Sequence, residues 1–282
     1  MITDRIRIEH YSETDYDSVK LLLSEDAEAG EDILRVLVKA PELFRTAKLE
    51  DKLVALAQVT EPSPQAYVTV YVAPSMRRRG IATALVRQAE SVLREGGTHL
   101  IRSSFRAGSP TSMAFARSLG YDPYFSSLLM KRSGGPFPLG ELPVRVYKDE
   151  DYIATQSFYA KAFHDMRVRV GHFPDSVIAP PSEKERRAWQ EDAEDRFVYE
   201  MGGEIVAYSH ISGNEIGSIS VRIDMQSRGI GRKFAMRMCN EIYRRGNADV
   251  TLWCVVGNYA RKLYDSLGFQ ETYTMQFVRK SL

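Results

Sequence analysis

One local pattern occurs twice in this chain, and the duplication constrains the fold more than any other feature. The first copy is RRRGIAT at 77–83 and the second is QSRGIGR at 226–232. Each follows a β-branched run, YVTVYV at 67–72 and GSISVRI at 217–223, and each opens a run that reads as a helix. A strand that enters a helix through a glycine turn leaves the first helical N–H groups without intrahelical partners. With the positive end of the helix dipole, those groups form an anion site. Gly80 and Gly229 let the backbone approach the anion, because a Cβ there would intrude.

The repeat extends well beyond the turn. Aligning Gly80 with Gly229 brings Val72 onto Val221, Met76 onto Met225 and Ile81 onto Ile230. Upstream, the alternating strand IRIEH at 6–10 matches VRVY at 144–147, and each precedes an acidic cluster that reads as a helix start. A helical region is expected over 15–40, then a hairpin of 44–49 and 53–59. The second hairpin, 197–201 and 205–211, turns at Gly202-Gly203. Beyond each turn helix, a fifth strand (100–106, 250–255) and a further helix (109–119, 258–267) are expected. These helices stop at Leu119-Gly120-Tyr121 and Leu267-Gly268-Phe269. The final strands fall at 125–131 and 273–280. The stretch SGGPFPLGELP at 133–143 carries three prolines and three glycines and reads as a linker. Two domains are therefore expected, 1–139 and 140–282. A long irregular insertion at 169–182 occurs only in the second copy, where a binding element and mobile surface are equal readings.

A phosphate-loop lysine is absent and GxGxxG is incomplete in both copies. What remains is [QR]xxGx[GA], as Arg77-Gly80-Ala82 and Gln226-Gly229-Gly231. On these residues the chain resembles the GNAT superfamily of acyl-CoA-dependent N-acetyltransferases, in tandem. The resemblance implies two mixed α/β (α+β) domains, each a twisted, mostly antiparallel sheet flanked by helices, with the fourth and fifth strands splaying apart. It implies acetyl-CoA as cosubstrate and an amine acceptor, a small molecule or a peptide. Val70, Tyr71 and Val72, with Ile219, Ser220 and Val221, would offer backbone to the pantetheine arm and acetyl carbonyl. Arg77, Arg78, Arg79, Gly80, Ile81, Ala82 and Thr83 would take one pyrophosphate. Gln226, Ser227, Arg228, Gly229, Ile230, Gly231 and Arg232 would take the other.

The copies differ in their acid. Tyr264 sits in LYDSLGF with Ala260 upstream, which resembles the family's A-x-x-L-Y-x-x-x-G-F ending, where the tyrosine protonates the departing thiolate. At the same place the first copy has Ala116; Tyr121 and Tyr124 follow the helix instead. The asparagine often found seven positions before the tyrosine is here shifted to Asn258, either a coenzyme contact or the helix cap. No general base is legible: His210, Glu200 and Glu215 are candidates, each read first as a surface or structural group. Cys254 reads as a small buried hydrophobe.

The expectation is N-acetyl transfer with catalysis in the second half and a weakly active, coenzyme-binding first half. The alternatives are a non-catalytic acyl-CoA sensor, or catalysis in the first half. A formal net charge of +1 gives no argument for nucleic acid or membrane. Two cysteines support neither a disulfide framework nor a metal site, and the amino-terminal stretch has no apolar segment. A cytoplasmic, metal-independent protein is expected.

Overall fold

The computed structural model describes residues 5–282. In chain order the elements of the first repeat are β1 (Ile6–His10), α1 (Tyr16–Ser24), α2 (Ala27–Lys39), β2 (Phe44–Leu49), β3 (Lys52–Val59), β4 (Gln65–Val72), α3 (Ile81–Glu95), β5 (Leu100–Arg106), α4 (Pro110–Ser118) and β6 (Asp122–Ser133). The second repeat contributes β7 (Val144–Val146), α5 (Tyr152–Val170), α6 (Glu183–Glu191), β8 (Arg196–Met201), β9 (Glu204–Ser212), β10 (Glu215–Val221), α7 (Ile230–Arg244), β11 (Asp249–Val255), α8 (Arg261–Ser266) and β12 (Gln270–Ser281).

The local chemistry explains these elements. Both hairpins close in two residues of positive φ, as a mirror-image turn requires. The second uses Gly202 and Gly203, whereas the first forces Glu50 and Asp51 to φ of 50° and 64°. The helices after the glycine turns bury matching faces. Ile81, Leu85, Ala89 and Leu93 recur every fourth residue on α3, and Ile230, Phe234, Met238 and Ile242 do so on α7.

Two compact units result: the chain up to Tyr124 together with Gln276–Leu282, and Phe125–Met275. The first has strand order β1-β2-β3-β4-β5-β12, and the second β6-β11-β10-β9-β8-β7. Both are mixed α/β and mostly antiparallel, with β4–β5 and β10–β11 parallel. The division differs from the single break expected near Gly140, because each repeat gives up its last strand. β6 lies antiparallel to β11 from Asp249↔Ser133 to Val255↔Ser127, with Leu128 and Met130 in the core under α7. In the first unit Val278 packs with Ala66, Val68, Leu93 and Ile101. There Lys280 Nζ lies 2.8 Å from Glu90 Oε2 on α3, a carboxylate side chain only 8% exposed.

Residues 134–143 are irregular yet held within the second unit. The Phe137 N–H donates to Asn240 Oδ1 (2.7 Å), and Asn240 Nδ2 donates to the Phe137 carbonyl (2.9 Å). The Arg132 guanidinium lies 4.0 Å from the Phe137 ring centre.

In both units the parallel pair comes apart. β4 pairs with β5 only at Gln65, Ala66 and Tyr67, and β10 with β11 only at Glu215 and Ile216. A β-bulge at Gly217 accompanies the second divergence. Each strand then runs unpaired on that side toward its glycine turn.

Candidate active site

The two turns share one backbone. After a short 3-10 turn (Pro74–Met76, Ile223–Met225), Arg77 and Gln226 are extended. Arg78 and Ser227 then adopt φ of 64° and 60°, and Gly80 and Gly229 adopt 83° and 78°. Left-handed residues at alternate positions aim successive N–H groups to one side, the geometry of an anion nest. No heavy atom lies within 4 Å of where a Cβ on Gly229 would stand, so that corner has room for an oxyanion. Ile81 and Ile230 are buried core side chains and offer only backbone. Arg232 reaches back to Ser266 Oγ at 2.5 Å.

The first residue of each pattern has a local role. Arg77 Nε donates to the Val72 carbonyl (3.0 Å), and Gln226 Nε2 donates to the Val221 carbonyl (3.1 Å). Each ties the turn to the strand that feeds it. Arg77 also pairs with Asp26 at 3.3 Å, so its charge is turned away from the nest. The cations left exposed at the turns are Arg78 and Arg79 in the first unit and Arg228 and Arg232 in the second. Asp224, beside Arg228, makes the second turn less positive.

The helix after the fifth strand separates the units. Tyr121 N–H donates to the Ala116 carbonyl (3.0 Å), and Phe269 N–H donates to the Tyr264 carbonyl (3.1 Å). These equivalent capping bonds, each followed through a left-handed glycine, establish that Ala116 stands where Tyr264 stands. Tyr264 is 9% exposed and packs edge-on to Phe269. Its hydroxyl makes no hydrogen bond to a described residue. Burial, then Cys254 and Tyr259, raise its pKa, which keeps the phenol protonated and able to donate. Burial pushes the Cys254 thiol up to about 11, which removes it as a nucleophile at neutral pH. In the first unit neither nearby phenol takes the acid's place. Tyr121 is buried beneath Lys280, and Tyr124 lies between Arg102 and Arg279. Its cleft is further crossed by a hydrogen bond between the Tyr67 hydroxyl and Ser104.

Asn258 Oδ1 accepts from the Ala260 N–H (3.0 Å), an Asx turn that fixes the loop leading into α8. The neighbouring Tyr259, absent from the sequence reading, donates its hydroxyl to Gln226 Oε1 (3.3 Å), while Arg169 lies over its ring at 5.5 Å. No motif flags Tyr259; only the fold brings α5, the β11–α8 loop and the turn together. The 169–182 insertion is a continuation of α5 followed by a pinned loop. Gln156 Nε2 donates to the Ala179 carbonyl (3.1 Å), and Tyr152 and Ser182 exchange two bonds. Glu200 pairs with Arg145 at 2.8 Å, a structural commitment. A cavity of about 860 Å³ opens between the start of α5, the β8–β9 turn and residues 222–224. Several of its charges pair with one another, Arg222 with Glu204 and Asp224, and Arg145 with Asp151 and Glu200, and Tyr264 does not line it.

Paired units whose sheets part above a nest-forming turn define an acyltransferase fold of the GNAT type. The Acetyltransferase (GNAT) family matches residues 7–121, and the FR47-like protein family matches 198–278. The chain thus carries a GNAT acetyltransferase domain over residues 7–121 and an FR47-like domain over 198–278, and acetyl-CoA is the cosubstrate of the GNAT family. No curated protein matches it by sequence. Among solved structures, a GCN5-related N-acetyltransferase from Sphaerobacter thermophilus is 21% identical with a TM-score of 0.75, covering 100% of this chain and 97% of that one. A tandem GNAT protein from the clavulanic acid biosynthesis pathway is 16% identical with a TM-score of 0.64, covering 98% of each chain. A GNAT-family acetyltransferase from Colwellia psychrerythraea is 13% identical with a TM-score of 0.58, covering 98% and 99%. Likeness at these identities concerns the fold. Among the described residues no helix is long and apolar enough to cross a membrane.

Proposed function

We propose that the second unit transfers the acetyl group of acetyl-CoA to a primary amine, with Tyr264 as general acid, and that the first unit binds acetyl-CoA with little turnover. The observation that carries this reading is the structural equivalence of Tyr264 and Ala116 beside two turns of the same backbone. The nest at 226–232 holds the pyrophosphate, and the unpaired edge of β10 at Ile219–Val221 receives the pantetheine arm and thioester. As the carbon–sulfur bond breaks, the developing thiolate takes the phenolic proton. The first unit keeps the nest, with Gly80 and the free Arg78 and Arg79, but offers a methyl group where the acid stands.

The test is Tyr264→Phe, which removes one hydroxyl and little packing. Release of coenzyme A thiol across an amine panel should show kcat lowered roughly ten- to a thousandfold with acetyl-CoA affinity retained. An unchanged kcat would overturn the role of Tyr264. Catalysis in the first unit has one observation in its favour, the more cationic turn; Ala116 and the Tyr67–Ser104 bond across its cleft weigh against it.

A further inference from the structure

An acceptor amine arrives at neutral pH as an ammonium, and nothing on the turn or on α8 removes its proton. We propose that His210, oriented by Asp192, is the general base that takes this proton in the second unit; the assignment rests on the acyl-transfer reading above.

β9 sets His210 opposite Ser218 on β10, and opposite Arg196 on β8. Directly paired residues share a sheet face. Ser218 immediately precedes Ile219, and pairing of β10 with β11 ends at Ile216. The imidazole therefore stands level with the point where the cleft opens. Its Nε2 lies 3.1 Å from Asp192 Oδ2. Asp192 is itself clamped by Arg196, with Nε 2.5 Å from Oδ1 and Nη2 2.9 Å from Oδ2. A carboxylate takes only an N–H, so the proton sits on Nε2 and the lone pair on Nδ1. Nδ1 has no partner among the described residues. It faces the bulge in β10: a Cβ built on Gly217 would stand 3.1 Å from Nδ1, closer than side chains ordinarily pack. The glycine in an otherwise β-branched strand thus lets the ring lie against β10 with no side chain between them.

The surrounding charges are Arg196, which disfavours a charged imidazole, and Asp192 and Asp195, which favour it; Asp195 is paired with Arg245. Burial and Arg196 outweigh the carboxylates and lower the histidine pKa, so the ring is neutral and proton-accepting at pH 7. In the step, Nδ1 removes one proton from the ammonium and passes it to solvent. The freed lone pair attacks the thioester carbon, and the carbon–nitrogen bond forms. As the carbon–sulfur bond breaks, nitrogen loses a second proton by the same route and the thiolate gains one from Tyr264, which is reprotonated by water. One proton is released per turnover.

His210→Gln should lower kcat/KM for the acceptor about a hundredfold at pH 7. It should also abolish the acid limb of the pH–rate profile while leaving KM for acetyl-CoA and the melting temperature near wild type. The deficit should shrink as pH rises toward the acceptor's own pKa. Asp192→Asn removes a carboxylate that raises the histidine pKa and leaves Arg196 unopposed; both changes move the acid limb to lower pH. A purely structural His210 would shift the melting temperature and leave the limb in place, and that result overturns the proposal. If His210→Gln does not fold, the direction of the limb in Asp192→Asn decides. Wild-type protein that releases no coenzyme A with any amine sinks the acyl-transfer reading and this proposal together. Wild-type turnover with an unmoved limb in the variants sinks His210 alone.

Discussion

The two glycine turns superpose in kind, residue for residue, yet the sites above them have diverged. Ile81 and Ile230, Leu85 and Phe234, Leu93 and Ile242 occupy the same buried places, so burial has kept both copies on one skeleton. The acid position shows how chemistry is lost without touching that skeleton. Ala116 and Tyr264 are both buried and both accept the same capping bond, so the copies differ by a buried hydroxyphenyl group while the helix and its cap are the same. A duplicated domain can lack the catalytic group and still retain its binding turn.

The comparison breaks most visibly at the glycines. Gly229→Asp sets a carboxylate against the anion nest and should reduce turnover about a hundred- to a thousandfold, the scale of a lost oxyanion-stabilising donor. Gly80→Asp should leave turnover within about threefold while removing one coenzyme A binding event in calorimetry. The reverse pattern, with both proteins folded, would mean that the active half has been misassigned.

A large effect of another kind separates the units by stability. Lys280→Met leaves Glu90 buried and uncompensated, which costs about 3 kcal/mol. Hydrogen exchange should show α3 and β5 of the first unit loosening while α7 and β11 of the second stay protected. Uniform loosening would refute the division into units.

A smaller difference concerns charge. With Arg77 turned back to its strand, Arg78 stands exposed where the second turn has the uncharged Ser227. Arg78→Ala should weaken coenzyme A binding to the first site about fivefold at low salt, and less at high salt. Equal affinity before and after would place that guanidinium in solvent. The smallest expected effect is a flat line. Because burial holds the Tyr264 phenol above its ordinary value, kcat should show no alkaline fall up to about pH 10.

Much of this was legible in the chain. Gly80 and Gly229 are the residues that left-handed turns admit, and Leu-Gly-aromatic stops located Ala116 and Tyr264. The exchange of last strands was not legible. SSLLMKR in β6 and TMQFVRK in β12 both read as closing strands, and a strand pattern fixes which residues are buried without naming the neighbouring strand. The role of Arg77 was hidden for a related reason: a basic residue beside an anion site reads as a ligand until its Nε is seen on the Val72 carbonyl. Asp192 and His210 are eighteen residues apart and meet only through the β8–β9 pairing.

The exchanged strand also sets an order of events during synthesis. The first unit holds residues 5–124, made early, yet its sheet is completed by 276–282. Domains commonly fold as they emerge, amino-terminal parts first, at about 5–20 residues per second. Here the nascent first unit waits, with the β5 edge open and Glu90 lacking Lys280, through the roughly 150 intervening residues, on the order of ten to thirty seconds of translation. Unpaired strand edges are where chains stick to one another. During that interval the β5 edge is exposed to pairing with other chains.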